Sequence, residues 1–552
     1  MRRAHRQIRV GAVALAVALG AAIFVAPPAP AGSPPPPLFA PSSQCVACHN
    51  GITTPSGEDV SIGFAWRASI MANAARDPYW HAAVRRETLD RPDESAAIQD
   101  ECAACHMPMA RFQDHAAGGK AEIFARLPRG ARPGVADGDP LSMDGVSCSL
   151  CHQLQNGGPA LEHDGEFKID ASRPWGARVV FGPYDIPQAR AQVMHSATGF
   201  VPARAANIER AELCSTCHTL YTTNDAGTNA RGEKQTVRFP EQVPYLEWRA
   251  SDYAREKTCQ GCHMPVVPEK VPAASVLGEP RDAFGRHGFQ GANFFMLGML
   301  DRYRTDLAVE ASPQELMLSR QRTLELLRTG AAALSIARAE LRDGRLEAEV
   351  VVTNTTGHKL PSAYPSRRAW LRFVVSDAGG RTLWASGALR PDGSIEGNDN
   401  DRDPLSFEPH HQIIDSAEQV QIYEPILVDV RGQVTTGLLS AVRYGKDNRL
   451  LPRGFDKAAA EPDVAVHGEA KDDPDFQGGG DRVVYRVPVP DDAAGPLRVQ
   501  VELLYQPIGF RWAHNLERYR AAAEPARFLG YYEAMAAGSA TTLAATSASV
   551  PK

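Results

Sequence analysis

The chain has 552 residues, a hydrophobic fraction of 43% and 42 prolines, long enough for two or three domains at roughly 100 to 200 residues each. That hydrophobic share lies slightly below the roughly 45–50% of globular proteins, and proline exceeds its usual share of about 5%. The composition predicts a loop-rich chain with something besides side chains filling part of its interior. The formal net charge is −6 and no Lys/Arg-rich run stands out, which argues against nucleic acid as a partner.

At the start, Arg2, Arg3, Arg6 and Arg9 precede an apolar run from Val10 to Ala26, and Ala29-Pro30-Ala31 supplies the small residues of a cleavage site. This is the pattern of a secretory signal over 1–31. The alternative is a retained anchor, for which the run falls short of the roughly 20 residues a spanning helix needs. Export places the chain in the periplasm or at the cell surface, and loss of the four arginines leaves it four charges more negative. A Pro- and Ser-rich lead-in occupies 33–44.

In an exported chain ten cysteines would ordinarily read as five disulfides, but here all ten fall into one repeated pattern. The copies are Cys45-Val-Ala-Cys48-His49, Cys102-Ala-Ala-Cys105-His106, Cys148-Ser-Leu-Cys151-His152, Cys214-Ser-Thr-Cys217-His218 and Cys259-Gln-Gly-Cys262-His263. Cys-x-x-Cys-His is the attachment signature of c-type haem. Two thiols about one helical turn apart can each form a thioether to a haem vinyl group, and the adjoining imidazole reaches the iron. A zinc ribbon needs no His after every second Cys, and a thioredoxin-like redox motif occurs once. Five covalently attached haem c groups are therefore expected, with His49, His106, His152, His218 and His263 as proximal ligands. No motif replaces its His by Lys.

The first cysteines of successive motifs are 57, 46, 66 and 45 residues apart, so each haem has a short length of chain to wrap it, and buried porphyrin supplies apolar surface that side chains need not. A pentahaem domain of short helices and loops, poor in strands, is expected over 32–311. It includes a helix from Gly63 to Ala75 and a second capped by Asp77-Pro78 and running to about Arg86. Cys102–Pro108 and Cys259–Pro265 form a weak repeat, CAACHMP against CQGCHMP, in which Pro ends the helical turn.

Ser312-Pro313-Gln314-Glu315 reads as a capping box, with a helix to about Thr329 ended by Gly330 inside a linker-helix segment assigned to 312–342. After Asp343-Gly344 the period becomes two: Leu346, Ala348, Val350 and Val352 share one face. Trp370–Val375 and Arg381–Ala385 flank Asp377-Ala378-Gly379-Gly380 as a hairpin. Gln419–Tyr423, Arg482–Val487 and Leu497–Tyr505 add strands, so a small antiparallel β-sandwich is predicted over 343–512. A helical tail over 513–552, broken near Pro525, closes the chain.

Excluding proximal residues and His5, the candidates for the far side of each iron are His81, His115, His163, His195, His287, His358, His410, His411, His467 and His514. A lone His is as often a surface or hydrogen-bonding residue. His195, His287 and His358 stand out because Gly or small neighbours leave room for a flat macrocycle. Met71, His81, His115, His163 and His410 are further candidates. Met can be an axial ligand that raises the haem potential, although a buried Met on a helix is more often core. His410-His411 could alternatively hold a separate metal, but no carboxylate spacing around them specifies one.

The two Cys-His-Met-Pro repeats, Asp144-Gly145-Val146-Ser147, Met194-His195-Ser196 and His287-Gly288-Phe289 resemble the multihaem cytochromes of the cytochrome c-554 class, which includes relatives of hydroxylamine oxidoreductase. Asn354–Trp370 (NTTGHKLPSAYPSRRAW) looks like a stretch of bacterial multihaem cytochromes that follow the haem region with a β-rich domain. The resemblance implies bis-His haems stacked in close pairs, with His195 and His287 as distal ligands and His358 donated back from the β-domain. At Met71 the class often has His. The expected function is electron transfer between redox partner proteins, such as a membrane quinol oxidase module and a terminal reductase, in a chain that could form oligomers. The alternative is an oxidoreductase acting on a small nitrogen or sulfur compound, of nitrite or hydroxylamine type, at one open haem.

Overall fold

The computed structural model describes residues 37–127, 140–155, 163–228, 231 and 233–552, so the signal segment 1–31 lies outside the described residues. Short helices dominate up to Arg302. Asp77 caps the helix Pro78–Asp90, its carboxylate accepting from the backbone N–H groups of Tyr79 at 2.8 Å and Trp80 at 3.1 Å, with Pro78 at the first position where a missing N–H costs nothing. Burial pushes this carboxyl up to about 6 against the pull of those bonds. The helix expected over Gly63–Ala75 spans only Ile62–Arg67. Beyond it the Asn73 amide donates to the carbonyls of Arg67 and Ser69, and Ser69 Oγ accepts from the Ala72 N–H; such local bonds compete with the helical ladder. Pro108 and Pro265 follow helices ending at His106 and His263, and Pro108 opens the next helix, Pro108–Ala116.

Strands are less rare here than predicted. Arg178–Gly182 and Phe200–Arg204 pair in parallel, and Leu220–Thr228 pairs antiparallel with Lys234–Gln242. That hairpin carries little alternation of apolar residues, and it forms because tertiary neighbours complete it: Asn224 donates to the carbonyls of Leu438 and Ala441.

The capping box at Ser312 and Glu315 is present, and the helix runs Pro313–Gly330. The assignment of 312–342 to a linker helix needs correction, because Ala332–Arg342 is a strand. Asp343 and Gly344 both have positive φ, 50° and 73°, the geometry of a two-residue hairpin turn, and they fold this strand back onto Arg345–Asn354. Local propensity of an Ala-, Leu- and Arg-rich run yields to strand pairing.

Two sheets form a sandwich. One orders Thr382–Ser386, Arg368–Ser376, Leu497–Gln506 and Thr541–Val550, with Ile422–Tyr423 also paired to Arg368–Ser376; the other orders Ile413–Ile414, Gly480–Pro488, Arg345–Asn354 and Ala332–Arg342. Leu346, Ala348, Val350 and Val352 are fully buried, as the period-two pattern requires. Phe373 and Tyr485 stack between the sheets with centroids 3.9 Å apart. Ile413–Ile414 pairs in parallel, so the sandwich is not purely antiparallel. The tail is helical only in part: Ala523–Glu533 is a helix holding Pro525 in its first turn, whereas Thr541–Val550 is a strand along Leu497–Gln506.

The motif-bearing half and the sandwich share one core, containing Tyr79, Phe294, Phe295, Met299 and Leu316 together with Val350, Phe373 and Leu503. The two or three domains that the length allows therefore do not each close a core of their own. Tyr303 stacks on Tyr531 at 3.6 Å, and Arg85 pairs with Glu524 at 2.8 Å. No helix among the described residues is long and apolar enough to cross a membrane. Leu503→Ala should destabilise the protein by about 2–5 kcal/mol, and denaturant unfolding followed by near-UV circular dichroism should show one transition for both halves. Two resolved transitions would contradict the shared core.

Candidate haem centres

Each motif sits on a short helical turn. The N–H of His49, His152 and His218 donates to the carbonyl of Cys45, Cys148 and Cys214 at 3.1, 3.0 and 2.9 Å. Cys102, Cys105 and His106 end the helix Ser95–His106, and Cys259–His263 is a helix capped by Thr258. This winding puts the paired thiols and the imidazole on one side of the backbone, as two thioethers and one axial bond to the same haem require.

The ring nitrogens are more informative. His49 Nδ1 meets the Ala273 carbonyl at 2.6 Å, His106 the Ala74 carbonyl at 2.9 Å, His152 the Phe181 carbonyl at 2.5 Å and His263 the Gln290 carbonyl at 2.5 Å. A carbonyl can only accept, so Nδ1 carries the proton and Nε2 keeps its lone pair. That is the tautomer and orientation of a metal-ligating histidine. Burial, and then the neighbouring His263, Arg367 and His358, push His218 down to about 4; burial alone outweighs the Ala74 bond and takes His106 to about 4.

Two of the expected distal residues have the same setting. His287 Nδ1 donates to the Gly285 carbonyl and His358 Nδ1 to the Lys359 carbonyl, both at 2.9 Å. The structure brings His287 to His152, with ring centroids 6.5 Å apart and planes 14° apart, and His358 to His263 at 6.3 Å and 9°. Two bonds of about 2 Å from imidazole nitrogen to metal, with about 1.1 Å from each nitrogen to its ring centre, put rings across one metal at about 6.3 Å. The residues present therefore fit a haem iron between each pair. Burial, then His152, pushes His287 down to about 4, keeping it neutral as ligation requires. His287 follows the fifth motif in sequence but stands opposite the third.

His195 lies exposed on Gln188–Thr198, a helix packed against the one bearing Cys45, and donates Nε2–H to the Gly176 carbonyl at 2.6 Å. Its neighbour is thus the first motif. Met71 lies half-buried in a turn, not on a helix, and its carbonyl accepts from the Val146 N–H.

The remaining histidines are engaged elsewhere. His81 donates Nε2–H to Ala75 and accepts from Arg527, His115 donates to Asp100, His163 lies against Asp164 and Arg238, and His411 donates to Glu408. His467 packs on Tyr444 and His514 on Phe510. Both nitrogens of His81 are committed, which corrects its candidacy as a ligand. The same holds for His410. His410, Asp473 and Asp481 form a buried cluster of metal-ligating types, but Gln421 and Asn448 donate amide N–H to His410 Nδ1 at 2.8 and 3.1 Å. Their amide oxygens accept from the backbone N–H groups of His411 and Glu424, which fixes their orientation. Nε2 therefore carries the proton that goes to Asp473 at 2.9 Å. A metal there would need an imidazolate, so the cluster is a hydrogen-bond network and not a separate metal site.

Sequence reasoning missed what joins the motifs. Cys45 lies beside Cys148, Cys105 beside Cys217, and Cys214 beside Cys259. Motif one thus touches three, two touches four, and four touches five. It also missed the anchor of His358. Glu247, from the motif-bearing half, accepts from the Lys359 N–H at 3.2 Å and Ser362 Oγ at 2.5 Å and pairs with Arg449 at 2.8 Å; Arg449 and Lys359 both hold Asp447, at 2.8 and 2.6 Å. All four charged groups are buried and their charges cancel.

No protein-family profile matches the chain, and no curated protein does. Among solved structures, the crystal structure of a penta-heme cytochrome c552 from Thermochromatium tepidum aligns with a TM-score of 0.48 and 16% identity, over 93% of this chain and 100% of that one.

In the haem-loaded protein, His358→Ala and His287→Ala should each convert one haem from low to high spin, read by electron paramagnetic resonance; unchanged spectra would remove the corresponding ligand. Glu247→Gln should destabilise the fold by about 3–5 kcal/mol, because Arg449 loses a buried counter-charge, and should broaden the signal of the His358 haem. Unfolding at graded pH should show an acid loss. In the haem-free polypeptide His106, His218 and His287 are held near 4 in the fold against about 6.5 unfolded, so there their contribution is complete above pH 6.5 and falls away as pH drops toward 4.

Proposed function

We propose that the chain is an exported c-type cytochrome, periplasmic or on the cell surface, that binds five haems and transfers electrons between respiratory redox partners. The observation carrying this reading is that all ten cysteines lie in attachment motifs whose histidines face paired imidazoles at 6.5 and 6.3 Å in two centres. Haem supplies one-electron chemistry whose potential follows axial ligand, hydrogen bonding and burial. The chain's own work is to hold four of the five motif imidazoles by backbone carbonyls and to bring motifs close to one another. His195 is proposed as the distal ligand at the first motif, beside which its helix packs. A quinol oxidase module and a terminal reductase remain the proposed partners.

A second reading, an oxidoreductase acting on a small nitrogen or sulfur compound, is favoured by one observation. Among the described residues no imidazole pair of this spacing involves His106, which instead has Trp80 stacked on its ring at 4.2 Å. Glu241 is buried within electrostatic reach of Cys102 and Cys105. Burial, then Glu101 and Glu87, push its carboxyl up to about 8, a value suited to giving and taking protons near neutral pH.

The pyridine haemochrome assay should give five haems per chain, and fewer would refute the stoichiometry. If the protein only relays electrons, the oxidised protein should be low-spin throughout. A substantial high-spin signal that shifts on adding nitrite or hydroxylamine, and that is altered in Glu241→Gln, would replace the relay by the oxidoreductase.

A further inference from the structure

Arg178 is 1% exposed and among the largest fully buried side chains. A guanidinium carries five N–H donors and cannot shed its charge. Among the described residues one bond is made, from Nη2 to the Ala171 carbonyl at 3.3 Å, while Nε and Nη1 are buried without a partner. Asp170 is close enough to be felt, but its carboxylate is committed to Ser172 Oγ at 2.6 Å and Arg173 at 2.7 Å. A buried cation without a counter-charge is among the costlier arrangements in a protein, and burial draws this guanidinium below its ordinary value. An anion from outside the polypeptide would satisfy it.

The position of Arg178 indicates which anion. It begins the strand Arg178–Gly182, and that strand is bonded twice to the third motif: the Phe181 carbonyl accepts from His152 Nδ1 at 2.5 Å, and the Phe181 N–H donates to the His152 carbonyl at 2.6 Å. The strand that orients the imidazole therefore also delivers the unpaired guanidinium. A haem attached at Cys148 and Cys151 brings two propionate carboxylates with it, and charge-assisted bonds from Arg to carboxylate are the strong ones.

We propose that Arg178 binds a propionate of the haem carried by Cys148, Cys151 and His152, fixing the rotation of that haem and holding its potential up. The inference rests on the haem reading above and adds a residue outside the attachment motifs. A cation beside the propionate offsets the carboxylate's preference for ferric iron, so its loss lowers the midpoint.

The test is a spectroelectrochemical titration of the haem-loaded protein and its Arg178→Gln and Arg178→Lys variants, with haem content measured on the same samples. Expected is a lower midpoint for one haem in Arg178→Gln, the one whose spin state responds to His287→Ala, with Arg178→Lys lying closer to the parent. Identical titrations at five haems per chain would overturn the propionate role and leave the haem reading intact, whereas absence of haem from the parent would overturn both. Should Arg178→Gln not accumulate, a crystal structure of the parent haem protein decides: a propionate oxygen within hydrogen-bond distance of the guanidinium is expected, and a chloride or water there would refute the assignment.

Discussion

The interaction on which the centres depend is the hydrogen bond from histidine Nδ1 to a backbone carbonyl. It fixes the tautomer, aims Nε2 and costs no side chain, since the carbonyl of Ala74, Phe181, Ala273 or Gln290 is already there. It also dictates what the surrounding chain must do. Each accepting carbonyl must be free of its own ladder and held within 3 Å of an imidazole, which long regular helices cannot offer because their carbonyls are already paired. The short helices, turns and two-residue strands of this half supply such carbonyls at their ends and edges.

A framework of this kind cannot stand on its own side chains. The apolar clusters around the second and third motifs are small, the first built on Trp80, Ile98 and Met107 and the next on Phe39, Leu150 and Phe167. The large core belongs to the β-sandwich and reaches through Tyr79, Phe294 and Leu316 into the motif-bearing half. The sandwich thereby serves as more than an appended domain: it presents His358 to the fifth motif, and Glu247 ties the presenting loop back through a charge-neutral buried network.

Electrostatic balance separates that network from Arg178. Two cations and two anions at Lys359, Arg449, Asp447 and Glu247 satisfy one another inside the polypeptide. Arg178 keeps two nitrogens without a partner, and burial holds the Glu241 carboxyl largely protonated, with its value raised to about 8. Both stand beside attachment motifs, where a bound haem adds charge of its own.

Reading the residues alone located the attachment motifs and determined much of the local structure. The cysteine spacing, the caps at Asp77 and Ser312, the hairpin turn at Asp377–Gly380 and the buried face of Leu346–Val352 are short-range patterns, each complete within a few residues. Tertiary structure decided what depends on distant partners. His287 stands with His152 and not with the adjacent fifth motif, His410 is spent on Gln421, Asn448 and Asp473, and motif one lies beside three while two lies beside four. Ala332–Arg342 and Thr541–Val550 became strands because sheet edges were there to receive them. The physical reason is the same throughout: a side chain's type sets which bonds it can make, but which of those bonds it makes is set by the groups that folding brings within about 3 Å.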